Sequence, residues 1–504
     1  MKVSLKKFWM GIAFFLTFVF VAIYIVLTDQ TKLLIILPCI LFVYGMMYCF
    51  NSFYDNIFLF CFLICFFTFL LSGQIINRVV QVYGYSFSDE IEMHTDIALM
   101  ISLFGLLLGY ILCDIIWKKY KRDYLKFNYD NIEYTNIRKL SKTIYYLTYL
   151  FWIVILLDNV LYVAQYGYTS YYISYSSRVP SVIRQIGYMA PMSLFIYLAT
   201  MPDKKDAMKP IIMYSLYLLL SLGTGRRIYF MTGLLIIFAY AMLRNVINPS
   251  EKSWVSKKSI LAIVIAIPVL LSLMYLFEYI RSDSYVGEAS NYSPILGFFV
   301  RQGTSINVIK YAELFKNRLN SEAHYSLYNL IKWLQGSGSI INKLFSLDFD
   351  FEMGKQTALT ATQGTYLADF ISYFANSSSY LSGMGYGSCY IAELYVDYGY
   401  IGVLIGNFIY GILLCFLLKI SIAKHNVWST ALGFYIVDLL FKAPRATFDA
   451  FLGQPLYFEC WGTLLVVFCV SYFAKNRGGD CALNREYLNY RGVARLIMGG
   501  VSYA

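Results

Sequence analysis

Residues 57–76 read "IFLFCFLICFFTFLLSGQII", twenty residues without an acidic, basic or histidine side chain. At about 1.5 Å of rise per residue, a helix of that length covers the roughly 30 Å hydrocarbon core of a bilayer. Lipid offers no water to a backbone N–H or C=O, so such a run must satisfy itself as a helix. Residues 8–27, "FWMGIAFFLTFVFVAIYIVL", repeat the pattern. Lys2, Lys6 and Lys7 precede them and no small-residue cleavage signal is present, so the run reads as a retained helix.

The whole chain agrees. Of 504 residues, 59% are apolar and 14% charged, against about 25% charged in an ordinary soluble protein. Mean hydropathy is +0.57. A soluble chain of this size has no surface on which to leave so much apolar side chain. The expected fold is an all-α integral membrane protein, a polytopic helical bundle of about twelve spans. They fall at 8–27, 33–50, 57–76, 97–117, 144–164, 184–200, 210–225, 228–243, 260–277, 400–418, 427–443 and 455–474. The seventh and eighth are short and almost touch; as a hairpin that does not cross, they leave ten.

Charge sets the expected orientation. With the N-terminus in the cytoplasm and twelve crossings, the cytoplasmic pieces hold 25 Lys and Arg, and the short outer pieces hold 8. That is the positive-inside bias, and it puts both termini in the cytoplasm. The net charge of +11 then reflects loop charge and gives no reason to expect nucleic acid. The chain divides into 1–277 with nine spans, an outer segment 278–399, three spans in 400–474 and a cytoplasmic tail 475–504. The outer segment has 122 residues, too many for a connector. Its apolar stretches, such as "YSLYNLIKWLQ" and "TYLADFISYF", are short and read as helices lying on the bilayer or packed over the bundle.

Several functions are excluded early. There is no GxxxxGK[ST] and no GxGxxG between strand and helix, and the longest inner loop, 118–143, has 26 residues. No nucleotide-driven pump fits in it. Ten Cys lack metal-site spacing, and the three His, at 94, 324 and 425, are scattered, so no metal site and no cofactor are expected.

The unusual charges are arginines in outer connections, where the bias disfavours them. Arg178 and Arg184 lie in "YYISYSSRVPSVIRQIGY", Arg226 and Arg227 in "LGTGRRIYF", Arg281 in "FEYIRSDS", Arg301 in "GFFVRQGTS", and Lys442 and Arg445 in "FKAPRATFD". A guanidinium is a rigid fork of donors suited to phosphate. An array at outer helix ends suits a pyrophosphate whose lipid tail stays in the bilayer. Each Arg alone also fits snorkelling to head groups or pairing with its own carboxylate. Tyr171, Tyr172 and Tyr175, with Arg178, form a surface suited to glycan contact. Glu393 and Asp397, four apart, share a helix face and suit acid–base work, as does His324; a structural pairing with outer Arg suits the two carboxylates as well. Asp114, Asp158, Asp438 and Glu459 lie in or near spans and suit an ion relay, or local satisfaction by water or Arg.

These segments, in this order, resemble the bacterial O-antigen polysaccharide polymerases, the Wzy family of repeat-unit polymerases. The likeness runs from about residue 145 to 470. It rests on "YYISYSSRVPSVIRQIGYMAPMSLFIY", "LGTGRR", Arg281, "FFVRQGTS", "APRATFDAF" and the Gly-rich "GMGYGSCYIAELYVDYGYIGVLIG". The resemblance implies a metal-independent glycosyltransferase at the periplasmic face of the inner membrane. Its donor and acceptor would be undecaprenyl-pyrophosphate-linked oligosaccharide repeat units, with membrane lipids around it and a chain-length regulator as a further partner. The family's arginines fall on Arg184, Arg226, Arg281, Arg301 and Arg445. Arg227 adds a second basic group, and the sequence does not choose between the pair. Arg281, Arg301 and Arg445 would stabilise the leaving pyrophosphate, with His324, Glu393 or Asp397 as base. The rivals are an O-antigen ligase, which uses the same donor, and a lipid-linked oligosaccharide flippase or other transporter.

Overall fold

The computed structural model describes residues 5–80, 87–119, 132–247, 254–255, 258, 261, 265–272, 274–275, 293–320, 322–335, 355–423 and 426–473. Regular structure among them is helical throughout. The first half holds α1 (Leu5–Thr28), α2 (Thr31–Phe50), α3 (Tyr54–Val79), α4 (Asp89–Lys119), α5 (Ile132–Tyr166), α6 (Ser181–Ala199), α7 (Lys204–Thr224) and α8 (Arg227–Ile247). Short helices follow: α9 (Pro294–Gln302), α10 (Ile306–Leu314), α11 (Tyr328–Gln335), α12 (Ala358–Gln363) and α13 (Leu367–Ala375). The chain ends with α14 (Tyr390–Ala423), α15 (Val427–Lys442) and α16 (Phe458–Phe473).

Among the described residues, nine helices are long and apolar enough to cross a bilayer. The bent pair Ala450–Leu456 and Phe458–Phe473, which meet at 55°, is a broken span, which makes ten, or a re-entrant loop, which leaves nine. α7 and α8 each offer 21 residues, about 31 Å of helix, enough for a full crossing apiece. α15, at 16 residues, is shorter than a usual span, and the expected span 260–277 falls partly outside the described residues. The fold is thus an all-α polytopic membrane protein with nine to ten long apolar helices, and the described residues do not reach the expected twelve.

The centre of the bundle is the crossing of α4 on α14. A Cβ on Gly109 would lie 2.1 Å from the Phe408 carbonyl oxygen, and one on Gly411 2.1 Å from that of Leu106. Only glycine lets the two backbones approach so closely, and lipid, being as apolar as leucine, leaves such packing to hold helices together. Polar bonds add to it: Ser102 Oγ and Tyr390 OH both donate to Asn407 Oδ1, at 2.8 and 2.6 Å.

One end of the bundle is tied by the ion pair Lys419–Asp114 at 3.1 Å, by Arg138 donating to the Thr200 carbonyl at 2.8 Å and by Lys204 donating to the Trp254 carbonyl at 3.2 Å. The opposite end carries a cap built from α9 to α13. A buried ionic lock fastens it. The wholly buried Lys310 ammonium of α10 donates to Glu92 at 2.7 Å, and Arg78 donates to Asp96 at 2.6 Å. Gln74 donates to both carboxylates at 2.8 Å. Buried charges persist only when paired and bonded in this way.

α14 begins at Tyr390, ahead of the span start expected at 400, and departs from helical geometry at Gly399, whose φ of 64° only glycine adopts readily. Its first turns, with Glu393 and Asp397, therefore belong to the cap side of the break.

Candidate functional site

The site grows from the turn between α7 and α8. Gly225, at φ 76°, ends α7 in the left-handed conformation and throws Arg226 back over the cap end. The guanidinium lies over the Tyr171 and Tyr172 rings, 4.8 and 5.4 Å from their centres, and Nε donates to the Tyr172 hydroxyl at 3.3 Å. These are cation–π contacts, which hold the side chain without cancelling its charge. Arg184, one turn into α6, lies close enough to Tyr188 for its charge to act on that hydroxyl, as does Arg226. The Arg184 Nε is buried and has no hydrogen-bond partner. Neither Arg184 nor Arg226 forms an ion pair among the described residues. Glu459 acts on the same Tyr188.

A second arm reaches this cluster from the end of α15. Lys442 pairs with Asp438 at 2.6 Å and sits 5.2 Å over the Tyr229 ring, and Tyr229 is itself within reach of Arg226. One turn on, Arg445 Nη1 donates to Gln302 Oε1 at 2.9 Å. Gln302 directly follows Arg301 at the end of α9. A π turn in α3, Phe67–Leu71, packs against both Gly303–Ser305 and Ala443–Arg445 and fixes their spacing. Basic residues at 184, 226, 442 and 445 thus form one group linked through Tyr188, Tyr229 and Gln302 at the cap end, with Arg301 next to Gln302 in the chain. Arg227 turns aside to the Met274 carbonyl at 3.3 Å. Arg281 lies outside the described residues, as does His425.

The other expected site residues are placed as follows. Tyr171 and Tyr172 meet Arg226. Tyr175 stacks on Tyr171 at 4.5 Å and donates its hydroxyl to Asp158 at 2.7 Å. Arg178 is exposed, and its backbone N–H donates to the same carboxylate at 3.2 Å. Glu393 is fully buried: Oε1 accepts from Ser388 Oγ at 2.5 Å and Oε2 from the Phe448 N–H at 2.7 Å. Asp397 accepts from the Tyr325 and Ser326 N–H groups at 3.2 and 2.8 Å and from Ser326 Oγ at 2.6 Å. Both carboxylates hold loops, and among the described residues neither forms an ion pair with an Arg. His324 is exposed beside Asp397. Asp114, between Lys419 and Lys118, Asp158, with Tyr175, and Asp438, with Lys442, each have separate local partners, though among the described residues the buried Asp438 Oδ1 accepts no hydrogen bond. Among the described residues, no three His, Cys, Asp or Glu side chains gather as a metal site.

The site also contains residues that sequence reasoning passed over. Tyr188, Tyr229 and Gln302 connect the arginines, and Asp449 locks the loop after Arg445. Its carboxylate accepts from Asn329 Nδ2 and the Leu330 N–H, both at 2.8 Å, while burial pushes its pKa up. Asp369, on α13, is buried in the cap, and burial raises its pKa to about 7. Its only signal was a lone acid inside the apolar "TYLADFISYF".

No curated protein and no solved structure matches the chain. The family model described as O-antigen polysaccharide polymerase Wzy matches residues 9–477. With that match running from α1 to beyond α16, and through every arginine of the linked group, the chain belongs to the O-antigen polysaccharide polymerase Wzy family.

Proposed function

We propose that this chain polymerises oligosaccharide repeat units carried on a polyprenyl pyrophosphate, by glycosyl transfer at the periplasmic face of the inner membrane. The observation that carries the reading is the meeting of Arg184 and Arg226 around Tyr188 with no ion pair to either. Arg226, held by two rings, and Arg184, within electrostatic reach of the same Tyr188, are poised for an anion from outside the chain. Lys442, Arg445 and Arg301 supply further basic groups from the ends of α15 and α9.

The chemistry follows from the leaving group. The anomeric carbon of the donor sugar is bonded to a phosphate oxygen. An acceptor hydroxyl attacks that carbon, the carbon–oxygen bond breaks and its electron pair stays on the pyrophosphate. Negative charge grows there, and preset guanidinium donors stabilise it more in the transition state than in the ground state. The energy of the sugar–pyrophosphate bond drives the step, so no nucleotide is required. Arg184, Arg226, Arg301 and Arg445 bind and stabilise the pyrophosphate, and the resemblance implies the same role for Arg281, which lies outside the described residues. Glu393 and Asp397 position the loops that present these groups.

The test uses purified protein in lipid nanodiscs, supplied only with lipid-linked repeat units extracted from cells lacking it, with a metal chelator present. A ladder of longer lipid-linked glycans is the expected product. No ladder here, but glycan transfer once lipid A core is added, would assign the ligase; no joining in either case, with transbilayer movement of the lipid in sealed vesicles, would assign the flippase.

A further inference from the structure

The cap holds a second polar cluster, separate from the arginines and built from α11, α13 and the helix Ser377–Leu381. At its centre is Asp369, 8% exposed. Lys332 and the Tyr380 hydroxyl lie beside its carboxylate. Tyr380 is wholly buried, and its hydroxyl is the hydrogen-bonding neighbour of the Asp369 carboxylate. The buried Gln356 Oε1 and Thr365 Oγ1, from the segments flanking α12, are without partners among the described residues. Buried polar groups are nearly always bonded, so these two atoms in one cap call for a partner with a donor to offer. Next to them the Tyr328 and Tyr366 rings stack with centres 4.4 Å apart, half-buried, as an aromatic wall. A ring wall beside unspent hydroxyl, amide and carboxylate groups has the chemistry of a saccharide site.

The cluster communicates with the arginines. Tyr366 lies within electrostatic reach of both Asp369 and Tyr172, and Tyr172 accepts the hydrogen bond from Arg226. Gly383 presses its backbone on Thr169, where a Cβ would meet the carbonyl oxygen at 2.2 Å. That contact fixes the cap against the tyrosine loop. Glu393, Asp397 and Asp449 are occupied in holding backbone, as described above. Asp369 faces Lys332 and the Tyr380 hydroxyl and, among the described residues, holds no backbone group.

We infer that this cluster is the acceptor-sugar site, and that Asp369 is the base that takes the proton from the attacking hydroxyl. The inference rests on the glycosyl-transfer reading and names the second substrate's place in it. The acceptor oxygen forms its bond to the anomeric carbon of the donor. The donor carbon–phosphate oxygen bond breaks with its electron pair going to pyrophosphate. The hydroxyl proton goes to the Asp369 carboxylate and from there to solvent. The groups facing Asp369 are Lys332 and Tyr328 of α11, Tyr366 at the entry to α13, and Tyr380. α12 offers no titratable side chain. On α10, Lys310 turns to Glu92, Tyr311 to Tyr386, and Glu313 to Tyr395 and Lys316.

The experiment measures polymer formation against pH in nanodiscs, using repeat units extracted from cells lacking the protein. The wild-type rate is expected to fall as pH drops through about 7, where the carboxylate takes up its proton. Asp369→Asn should still bind the lipid-linked unit but lose about 100-fold or more in rate, together with that acid limb. Asp369→Glu should recover part of the rate. Tyr380→Phe, which removes one oxygen and keeps the ring, should fold normally and move the acid limb to higher pH, because the lost hydroxyl favoured the ionised carboxylate. A D369N rate within about threefold of wild type, or an acid limb unmoved in Y380F, overturns the assignment of Asp369. If Arg226→Ala and Arg445→Ala abolish polymer while D369N does not, only the acceptor site fails. If those two arginine variants polymerise normally, the glycosyl-transfer reading itself fails.

Discussion

Arg445 donates from Nη1 to Gln302 Oε1 across 2.9 Å, joining the loop after α15 to the end of α9 over 143 residues of sequence. The amide fixes the guanidinium in direction. The Gln302 Nε2, on the same amide, is buried and has no partner among the described residues, so this joint retains an unsatisfied donor.

Arg445→Lys keeps the charge and loses the fork. Polymer formation is expected to drop at least about tenfold, and Arg445→Ala about 100-fold, because directed donors rather than net charge stabilise the leaving group. Glycan ladders at equal amounts of folded protein check this. Equal ladders for Lys and Arg would show that a point charge suffices.

Arg226 is held by rings and one hydroxyl. Tyr172→Phe keeps the ring and removes the hydroxyl that bonds Arg226 at 3.3 Å and Tyr168 at 3.0 Å, and should cost a few-fold in affinity for the lipid pyrophosphate, about 1 kcal/mol. Tyr171→Ala with Tyr172→Ala strips the cation–π cradle and should cost more, since each such contact contributes about 0.5–2 kcal/mol. Titration of lipid-linked unit against each variant in nanodiscs separates the two contributions.

The ionic lock under the cap should behave as a unit. Lys310→Met strands the buried Glu92 carboxylate and is expected to destabilise the protein by about 3–5 kcal/mol. Adding Glu92→Gln should recover much of that loss. Thermal unfolding in detergent gives both values, and a double variant no more stable than K310M would mean the lock contributes nothing as a pair.

Asp369 carries a pH signature in stability as well as in rate. Its folded pKa is raised from 3.8 to about 7 by burial, so the folded state holds the proton over a window in which the unfolded chain has lost it. The carboxyl's stabilising share is complete below about 4 and is lost as pH rises through about 7. Asp369→Asn, which stays neutral, should unfold at a higher temperature than wild type at pH 8, with the gap closing toward pH 4. A gap constant across that range would mean the carboxyl does not titrate there.

Helix positions were legible because lipid enforces a one-dimensional rule. A stretch like 57–76 has to be a helix wherever it sits in the bundle. The outer arginines were legible too, since 226 and 445 stand where charge bias disfavours them. Their contacts were not. Arg226 meets Tyr172 only because α5, α7 and α8 bring two turns to one end, and the roles of Glu393 and Asp397 depended on which backbone groups the cap placed beside them.

By itself, then, the sequence determined the membrane fold and which rare side chains lie at helix ends, because hydropathy and charge act through the solvent and need no partner. The tertiary structure decided which of those side chains meet, that Glu393 holds backbone while Asp369 faces Lys332 and Tyr380, and that Lys310 locks the cap. Such outcomes depend on distances between segments far apart in the chain, which packing sets.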